Sequence, residues 1–261
     1  MKILFTKMES LGNDFIVINS IKNKIAISRK IIKELADRHF GIGADQVLII
    51  ELSRKKQVDF HYRIFNADGT EAEQCANGVR CIAKYLYLKK ITNKKQLFLS
   101  CKAGITRTQL ERDGEIVATV DAPKIIKIRK VPIPRAVKLW HAINAGNPHL
   151  VLQIPSLIRS FVVLAQSLAQ RFKQGINVGF VQKCTAHAIK LKVYERGAGE
   201  TLACGSGAIA AAAAGIWRGL LKSPVTVRFR FGKLTVIWPS IIAPISVKGP
   251  AKMAFDGEIV F

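Results

Sequence analysis

Acidic residues are scarce in this sequence. It has 18 Asp and Glu against 41 Lys and Arg, which gives a formal net charge of +23 at pH 7. Between Ala122 and Phe255 the acidic residues are Glu195 and Glu200, five positions apart in one motif. Carboxylates placed so selectively are candidates for function, although either could instead pair with a nearby arginine. Since the basic residues are dispersed and not interleaved with aromatics, we expect no specific nucleic-acid partner, only a field that favours anionic small molecules.

Long hydrophobic runs and cysteine pairs with metal-ligand spacing are also missing. The most apolar stretch, GAIAAAAAGIW at 207–217, is 11 residues long, too short to cross a bilayer, so we expect no membrane partner. The start, MKILFTKMESLGNDF, has no extended apolar segment of the kind found in signal peptides. The five cysteines include no C-x-x-C and are odd in number. We therefore predict reduced thiols, a cytoplasmic location and no bound metal.

Three pairs of segments indicate an internal repeat. LGNDFIVI (11–18) resembles AGNPHLVL (145–152), and GIGADQVLI (41–49) resembles GINVGFVQ (175–182), both at an offset of 134 residues. HYRIFNADGTEAEQCANG (61–78) resembles KLKVYERGAGETLACGSG (190–207) at an offset of 129. The offset is thus predicted to change once, by five residues, between Val47 and His61. A constant order of matches favours two copies of one structural plan.

Each copy combines short β-branched runs with helix-forming runs. Strands are predicted at FIVIN, VLIIE, FHYRIF and LFLSC in the first copy, and at HLVLQ, IKLKVY, VTVRF and LTVIW in the second. Helices are predicted at 28–40, 79–88, 160–172 and 208–217. The fold class is therefore α/β (α+β) with two pseudo-symmetric domains. We place the first at 1–119 plus 252–261 and the second at 120–251, with a linker at 122–135 and a final strand within 252–261.

Cys75 and Cys204 occupy the same place in the two copies. Both lie in C-x-[NS]-G directly before a predicted helix, where unpaired N–H groups and the positive end of the helix dipole lie. Such a position is expected to lower a thiol pKa from about 8.5 toward neutrality, and its N–H groups can hold a carboxylate. One thiolate could then remove an α-proton from an amino acid while the opposite thiol delivers another. This arrangement would invert a stereocentre with no cofactor.

The alternative for any cysteine is that it is a small buried residue without chemistry. We interpret Cys81, Cys101 and Cys184 in that way, since they lie within a helix run or after strand-like runs. The matched context of Cys75 and Cys204 favours a catalytic pair instead.

At these residues the sequence resembles the diaminopimelate epimerase family. The resemblance rests on LGNDF, GIGADQ, FNADGTEAEQCANGVRC, GNPH, GINVGF, VYERGAGETLACGSG and the terminal GEIVF. It implies a cofactor-independent enzyme that interconverts LL- and meso-diaminopimelate in lysine and peptidoglycan precursor synthesis. It also implies a homodimer, and domains in which a sheet or barrel wraps around a central helix.

The resemblance implies roles for individual residues. Cys75 and Cys204 would be the catalytic acid and base, and His149 and Glu195 would tune a thiol pKa. Arg196 would bind the distal carboxylate of the substrate, since its planar fork suits bidentate contact. The remaining substrate-binding residues, through side chains or backbone N–H groups, would be Asn13, Gln46, Asn66, Ala76, Asn77, Asn147, Asn177, Glu195, Gly205 and Ser206. Asparagines at matched loops suit amino-acid head groups, although each alone could be a turn residue.

Two departures from the family pattern, and two other functions, remain open from the sequence. Ala76 stands where the family usually has glycine, which would strain the backbone if that position needs a positive φ. The segment 153–174 is short and without acids, so we expect the surface of the second domain to differ there from that of the family. A related two-cysteine enzyme such as a proline racemase, or a non-catalytic basic binding protein, are the alternative functions.

Overall fold

The computed structural model describes residues 2–21, 25, 27–128, 133–155, 161–173 and 175–261. The chain divides into two compact units, the first formed by Met1–Ala118 with Gly249–Phe261 and the second by Thr119–Lys248. Within the linker predicted at 122–135, Lys124–Ile125 form a short strand of the second unit, and 129–132 lie outside the described residues. Residues 156–160 and 174 of the acid-poor segment also lie outside them.

The first unit contains two helices and a set of strands from both ends of the chain. Its elements are β1 (Lys2–Ser10), β2 (Asn13–Asn19), α1 (Arg29–Ala36), β3 (Gln46–Leu52), β4 (Phe60–Asn66), β5 (Glu71–Ala72), α2 (Ala76–Leu88), β6 (Gln96–Cys101), β7 (Gly104–Leu110) and, after the second unit, β18 (Lys252–Val260). Strand β8 (Ile116–Val120) runs into the second unit.

The second unit repeats this order. Its elements are β9 (Lys124–Ile125), β10 (Lys138–Asn144), β11 (Pro148–Gln153), α3 (Phe161–Ala169), β12 (Asn177–Thr185), β13 (Ala188–Glu195), β14 (Gly199–Thr201), α4 (Gly205–Trp217), β15 (Val225–Phe229), β16 (Gly232–Ile237) and β17 (Ile245–Gly249).

Strand pairing is the same in both units. In the first, β1–β2 is antiparallel, β2–β3 parallel, β3–β4 antiparallel, β4–β6 parallel and β6–β7 antiparallel. In the second, β10–β11, β11–β12, β12–β13, β13–β15 and β15–β16 follow the same sequence of directions. Each parallel pair is joined by a helical crossover, as parallel strands require. The predicted α/β class with two pseudo-symmetric domains is confirmed.

The register of the strands corrects the internal alignment. Gln46 lies opposite Phe15 in the first unit, and Asn177 lies opposite His149 in the second. Phe15 and His149 are 134 positions apart, whereas Gln46 and Asn177 are 131 apart. Gln46 and Asn177 are therefore the equivalent residues, because both hold the same place beside an equivalent strand.

The prediction that the repeat offset changes only once is consequently wrong. The offset falls by three residues in the segment before β3 and β12, and by two more in the hairpins that lead to β4 and β13. Loop lengths differ at two places, and sequence similarity alone merged them into one.

A central helix lies against the strands of each unit. Helix α2 contacts β1, β2, β3, β7 and β18, and α4 contacts β10 to β13, β15 and β16. Residues Ala210–Ala214 of α4 have no exposed surface, so the alanine run lets strands approach the helix closely. The amphipathic helices α1 and α3 pack their apolar faces on separate clusters, one around Ile32 and Leu35 and the other around Phe161 and Leu168.

The central helices begin three residues earlier than the sequence predicted, at Ala76 and Gly205 instead of 79 and 208. Helix α1 ends at Ala36 and α3 at Ala169, both shorter than predicted. Among the described residues, no helix is long and apolar enough to cross a membrane. The early starts matter for function, because each begins directly after one of the matched cysteines.

Candidate active site

Cys75 and Cys204 are the N-cap residues of the two central helices. Cys75 has φ −142° and ψ 109°, and its Sγ accepts a hydrogen bond from the Gly78 N–H at 3.3 Å. Cys204 has φ −131° and ψ 116°, and its Sγ accepts from the Gly207 N–H at 3.3 Å. The N–H groups in the first turn of a helix have no backbone acceptor, and each sulfur accepts a hydrogen bond from one of them.

The glycines three positions after each cysteine allow this approach. A Cβ on Gly207 would lie 3.0 Å from Val193 Cγ2 and 3.3 Å from the Cys204 sulfur. A Cβ on Gly78 would lie 3.3 Å from the side chain of Leu48. Glycine in C-x-[NS]-G thus leaves room for sulfur, helix and neighbouring strand together.

Asn13, Cys75 and Asn77 lie together in the first unit; we call them, with Arg80, the Cys75 cluster. The Asn77 amide donates to Asn13 Oδ1 at 3.2 Å, and the Cys75 thiol lies 3.9 Å from the same oxygen. A tight turn positions Asn13, since Leu11 and Gly12 both have positive φ, 55° and 84°. Leu11 is a non-glycine residue in the left-handed region, a conformation that costs energy and is often found at functional sites.

Arg80 is fully buried behind this helix start. Its guanidinium donates to the Ala76 carbonyl at 2.9 Å, to Asn77 Oδ1 at 2.8 Å and to Ser10 Oγ at 2.7 Å. Its Nε is buried and has no partner among the described residues. A cation with three uncharged partners has lost its hydration without gaining a full ion pair, and burial lowers its pKa.

An ion network supports Asn13 from its other side. The Asn13 amide donates to Asp45 Oδ2 at 2.9 Å. Arg38 bridges Asp45 and Asp14, and Lys7 lies 2.7 Å from Asp14. Although burial opposes ionisation of Asp14, hydrogen bonds from Arg38 and Lys7 hold its pKa well below its usual value. The loops that carry LGNDF and GIGADQ are thereby tied together.

Gln46 and Asn66 form a second amide pair in the first unit. They lie opposite each other on β3 and β4, and the Gln46 amide donates to Asn66 Oδ1 at 2.9 Å. The Asn66 amide in turn donates to Thr70 Oγ1 at 3.1 Å. Gln46 Oε1 is buried with no hydrogen-bond partner among the described residues, so it has an acceptor to offer.

His149, Asn177, Glu195, Cys204 and Ser206 lie together in the second unit; we call them the Cys204 cluster. Ser206 Oγ lies 3.4 Å from the Cys204 sulfur and 3.0 Å from His149 Nε2. The Asn177 amide lies 3.3 Å from the same ring nitrogen. Burial lowers the pKa of His149 to about 3, so the ring is neutral near pH 7.

The expected lowering of thiol pKa is wrong for Cys204. Burial raises its pKa well above the usual range, and the Glu195 carboxylate raises it further. Hydrogen bonds from Ser206 and from the Gly207 N–H act in the opposite direction but are weaker. Desolvation of the sulfur outweighs the helix start, and Cys204 is therefore a protonated thiol in this state.

Arg196 follows Glu195 and is exposed, and its backbone N–H donates to Asn177 Oδ1 at 2.8 Å. The aliphatic part of its side chain packs on Gly175, where a Cβ would lie 2.4 Å from Arg196 Cδ. Gly175 also has φ +68°, so it is required both by conformation and by space. Glycine at 175 thus sets the direction in which Arg196 leaves the strand.

The other predicted site residues have definite places. Ala76 and Gly205 are the first residues of α2 and α4, and Ser206 is the second of α4. Ala76 does not have a positive φ, so alanine in place of the family's glycine causes no backbone strain. Asn147 lies in the turn between β10 and β11, where its carbonyl accepts from the Ala145 N–H.

The three remaining cysteines differ in exposure. Cys81 and Cys101 are buried and Cys184 is exposed, and the five cysteines, all within the described residues, form no disulfide. Burial raises the pKa of Cys81 well above its usual value. No group of three or more His, Cys, Asp or Glu side chains suited to a metal ion is found in the described part of the chain.

Sequence reasoning did not identify Arg80, Ser10 or the Asp14–Arg38–Asp45 network. A signal for Arg80 was present. It is a charged residue inside an otherwise apolar helix run, and its counterpart in the second copy, 129 positions later, is the buried Ile209. A charged residue on a buried helix face, where the matched position of the other copy is apolar, indicates a role beyond packing.

Comparison with known proteins gives one consistent result. The family model for diaminopimelate epimerase matches residues 5–126 and 141–254. The diaminopimelate epimerase of Nitrosospira multiformis is 44% identical over 275 residues, and that of Azoarcus sp. is 41% identical over 276, each with 99% of both chains covered. A solved PhzF-family phenazine biosynthesis protein from Bacillus anthracis has a TM-score of 0.78 at 13% identity, with both chains fully covered, which is a likeness of fold.

Proposed function

Because the chain belongs to the diaminopimelate epimerase family, we propose that it interconverts LL-2,6-diaminopimelate and meso-2,6-diaminopimelate without a cofactor. The observation that carries the proposal is the pair of matched N-cap cysteines. Each is held by the same glycine N–H contact, and each lies in a cluster of amide and hydroxyl groups. This reaction serves lysine and peptidoglycan precursor synthesis in the family's host cells.

Catalysis requires that one sulfur is a thiolate and the other a thiol before the reaction begins. The thiolate removes the α-proton from one face of the substrate, and the thiol donates its proton to the opposite face. The sulfurs then hold the reverse protonation states, as an enzyme working in both directions needs. The raised pKa of Cys204 suits the proton donor, and Cys75 is its complement as base.

Negative charge that develops on the substrate carboxylate needs hydrogen-bond donors. The N–H groups at the starts of α2 and α4, including those of Ala76, Gly205 and Ser206, are suited to that task. Donors fixed before the reaction stabilise such charge without reorganisation, which is usually the largest contribution to catalysis.

The amide residues would select an amino-acid head group. Asn13, Gln46, Asn66, Asn77, Asn147 and Asn177 offer donors and acceptors without charge. Arg196 would bind the distal carboxylate through its planar guanidinium. Glu195 would accept from the substrate ammonium and raise the Cys204 pKa, while neutral His149 orients Ser206 beside the sulfur.

The proposal extends to assembly and location. We propose a homodimer, which the family resemblance implies. Exposed apolar side chains on β1 and β18, such as Leu4, Met253 and Phe255, give a surface that a second copy could cover. A cytoplasmic location would keep both catalytic thiols reduced.

Isotope exchange tests the reaction. Purified protein with LL-diaminopimelate in heavy water is expected to form meso product with deuterium at the inverted α-carbon, while early recovered substrate stays largely unlabelled. A single base that returned the same proton would instead carry hydrogen into the product. Proline is the parallel substrate, and deuterium entering proline but not diaminopimelate would assign the chain to the proline racemase reaction.

Two variants complete the test. Cys75→Ala and Cys204→Ala should each abolish interconversion, because either loss leaves one face without a proton carrier. Retained interconversion in either variant contradicts the two-cysteine mechanism. No exchange into either amino acid, together with salt-sensitive binding to DNA, would favour the non-catalytic basic protein.

A further inference from the structure

We propose that Arg80 is a positioning residue for the reaction: it fixes the first turn of α2 and the Asn77 amide, and its buried charge makes Cys75 the resting thiolate of the pair. The inference rests on the proposed function, since it explains how one of two equivalent cysteines becomes the base. Its basis is an asymmetry between the two units at otherwise matched positions.

The geometry connects Arg80 to Cys75 through the two residues that follow the cysteine. The guanidinium donates to the carbonyl of Ala76 and to the side chain of Asn77, at 2.9 and 2.8 Å. Asn77 in turn donates to Asn13 Oδ1, the oxygen that faces the Cys75 thiol. A third bond, to Ser10 Oγ, anchors the guanidinium to the end of β1. The planar guanidinium thus fixes the start of α2, the Asn77 side chain and the end of β1 relative to one another.

The electrostatic step follows from burial. Arg80 has no exposed surface, and its three hydrogen-bond partners are uncharged. A cation in such surroundings favours an anion nearby. The Cys75 sulfur caps the same first turn of α2 whose Ala76 carbonyl and Asn77 side chain accept from the guanidinium, so it lies at the helix start that Arg80 holds. Ionisation of Cys75 stabilises Arg80, and by reciprocity Arg80 stabilises the thiolate.

The second unit has the opposite arrangement. Ile209, which is 1% exposed, holds the place that Arg80 holds in the first unit. The charged side chain that acts on Cys204 is Glu195, a carboxylate, and it disfavours a second negative charge. The two sulfurs share a cap geometry but have neighbours of opposite charge, so their proton affinities differ.

The other titratable groups around Arg80 and Cys75 do not reverse the order of proton affinity proposed for the two sulfurs. Tyr62 and Cys81 act on the same region, but burial raises the pKa of each, so both are neutral near pH 7. The Glu115 carboxylate also acts on Arg80, but it is not one of the three hydrogen-bond partners of the guanidinium. Glu9 acts on Cys81 and leaves it protonated.

Alkylation of individual thiols tests the inference without requiring turnover. The full-length protein is treated briefly with iodoacetamide between pH 5 and 10, and modification of the Cys75 and Cys204 peptides is measured by mass spectrometry. In the wild type, the pH at which alkylation reaches half its maximal rate should be at least one unit lower for Cys75 than for Cys204. Equal midpoints, or a lower one at Cys204, would overturn the proposal without any variant.

Two substitutions separate charge from packing. Arg80→Gln should raise the Cys75 midpoint by about one unit or more, leave that of Cys204 unchanged, and lower kcat at neutral pH at least tenfold, since a unit charge in a partly desolvated site acts on that scale. Arg80→Lys keeps the charge and should keep the Cys75 midpoint while losing part of kcat through the weakened Asn77 contact.

The controls make every outcome decisive. Ser10→Ala removes a neutral partner of Arg80 and should leave the Cys75 midpoint within a few tenths of a unit. An Arg80→Gln protein that is folded by circular dichroism and keeps its Cys75 midpoint contradicts the electrostatic role. If it does not fold, the wild-type and Arg80→Lys midpoints decide. Deuterium incorporation by the wild type separates failure of this inference from failure of the proposed function.

Discussion

Gly175 is a single residue on which the placement of Arg196 depends. Gly175→Ala would put a Cβ 2.4 Å from Arg196 Cδ and force an L residue to φ +68°. We expect the KM for diaminopimelate to rise about tenfold, because losing a charged hydrogen bond costs about 1.5 kcal/mol or more. Steady-state kinetics with LL-diaminopimelate measure this, and kcat should change less than KM.

Gly219→Ala is the matched control for that substitution. Gly219 has φ +66°, nearly the value at Gly175, but a Cβ there meets no atom within 4 Å. Both variants should lose about 1 kcal/mol of folding free energy from backbone conformation. An equal rise of KM in both would mean that the Gly175 effect is general destabilisation and not displacement of Arg196.

His149 gives the molecule a titration in the acid range. Burial holds its folded pKa near 3, below its ordinary value of 6.5. Below pH 6.5 the unfolded chain takes up a proton that the folded protein cannot, so this contribution to stability is present above pH 6.5 and is lost as pH falls toward 3. The loss is about 1.4 kcal/mol per pH unit.

Urea unfolding at pH 6.5 and 5.0 measures the effect of His149. The wild type should lose about 2 kcal/mol from this group over that interval, and His149→Gln should lose correspondingly less. The exposed His39→Gln serves as control and should keep the wild-type difference. If His149→Gln and the wild type lose the same amount, the histidine is not buried in its neutral form.

At the scale of elements, the helix starts combine two roles that substitution can separate. Cys204→Ser keeps a hydroxyl that can accept from the Gly207 N–H, whereas Cys204→Ala leaves that donor unpaired. Both should lose epimerisation, because neither supplies a thiol. Only the alanine variant should lose stability, by about 1 kcal/mol.

Chemical unfolding of the two Cys204 variants, followed by tryptophan fluorescence, makes the comparison. Trp217 ends α4 and packs edge-on against Trp238 at 5.0 Å between ring centroids, so the signal reports on this helix. Equal stabilities of the serine and alanine variants would show that the sulfur does not cap α4.

Helices and strands were predicted well where local pattern decides them and less well where tertiary contacts do. The repeat in C-x-[NS]-G predicted two helix starts, but each helix extends back to the residue after its cysteine, because a side-chain cap rather than hydrophobic periodicity sets the boundary. No strand was predicted at Lys2–Ser10. Its buried polar residues Thr6 and Ser10 find their partners in Asp256 and Arg80, which no local window contains.

In the Cys75 and Cys204 clusters too, local motifs predicted some features, whereas tertiary contacts determine others. Motifs identified residues that the structure brings together, such as Asn13 with Asn77 and His149 with Ser206. The direction of the Cys204 pKa could not be predicted from its place at a helix start. Burial and the Glu195 carboxylate decide it, and both depend on how β13 and α4 pack.

At the scale of the whole molecule, the chain returns its last strand to its first. Strand β18 pairs antiparallel with β1 along nearly its full length, from Lys2 opposite Val260 to Glu9 opposite Lys252. Asp256 adds side-chain bonds to Thr6 and Lys89. The first unit is therefore completed only by residues that follow the entire second unit in sequence, so its stability should respond to changes near the C-terminus.

Gly257→Val tests this dependence in the full-length chain. A Cβ at Gly257 would lie 2.5 Å from the ring of Phe5, so valine should push β18 away from β1 and destabilise the first unit by about 1–3 kcal/mol. Arg107→Val is the control, since it installs the same residue at a solvent-exposed strand position of the first unit that lies on β7 and not on β1 or β18.

The sequence provides separate reporters for the two units. Trp140, Trp217 and Trp238, the three tryptophans of the chain, lie in the second unit, whereas the fully buried Cys81 lies in the first. In Gly257→Val, the labelling of Cys81 by a thiol reagent in mild urea should accelerate about fivefold or more per kcal/mol lost, provided that labelling follows reversible opening. The urea midpoint of tryptophan fluorescence should stay at the wild-type value. A shift of that midpoint equal to the loss of Cys81 protection would instead mean that the two units unfold as one cooperative body, in which the strand returned from the C-terminus stabilises both.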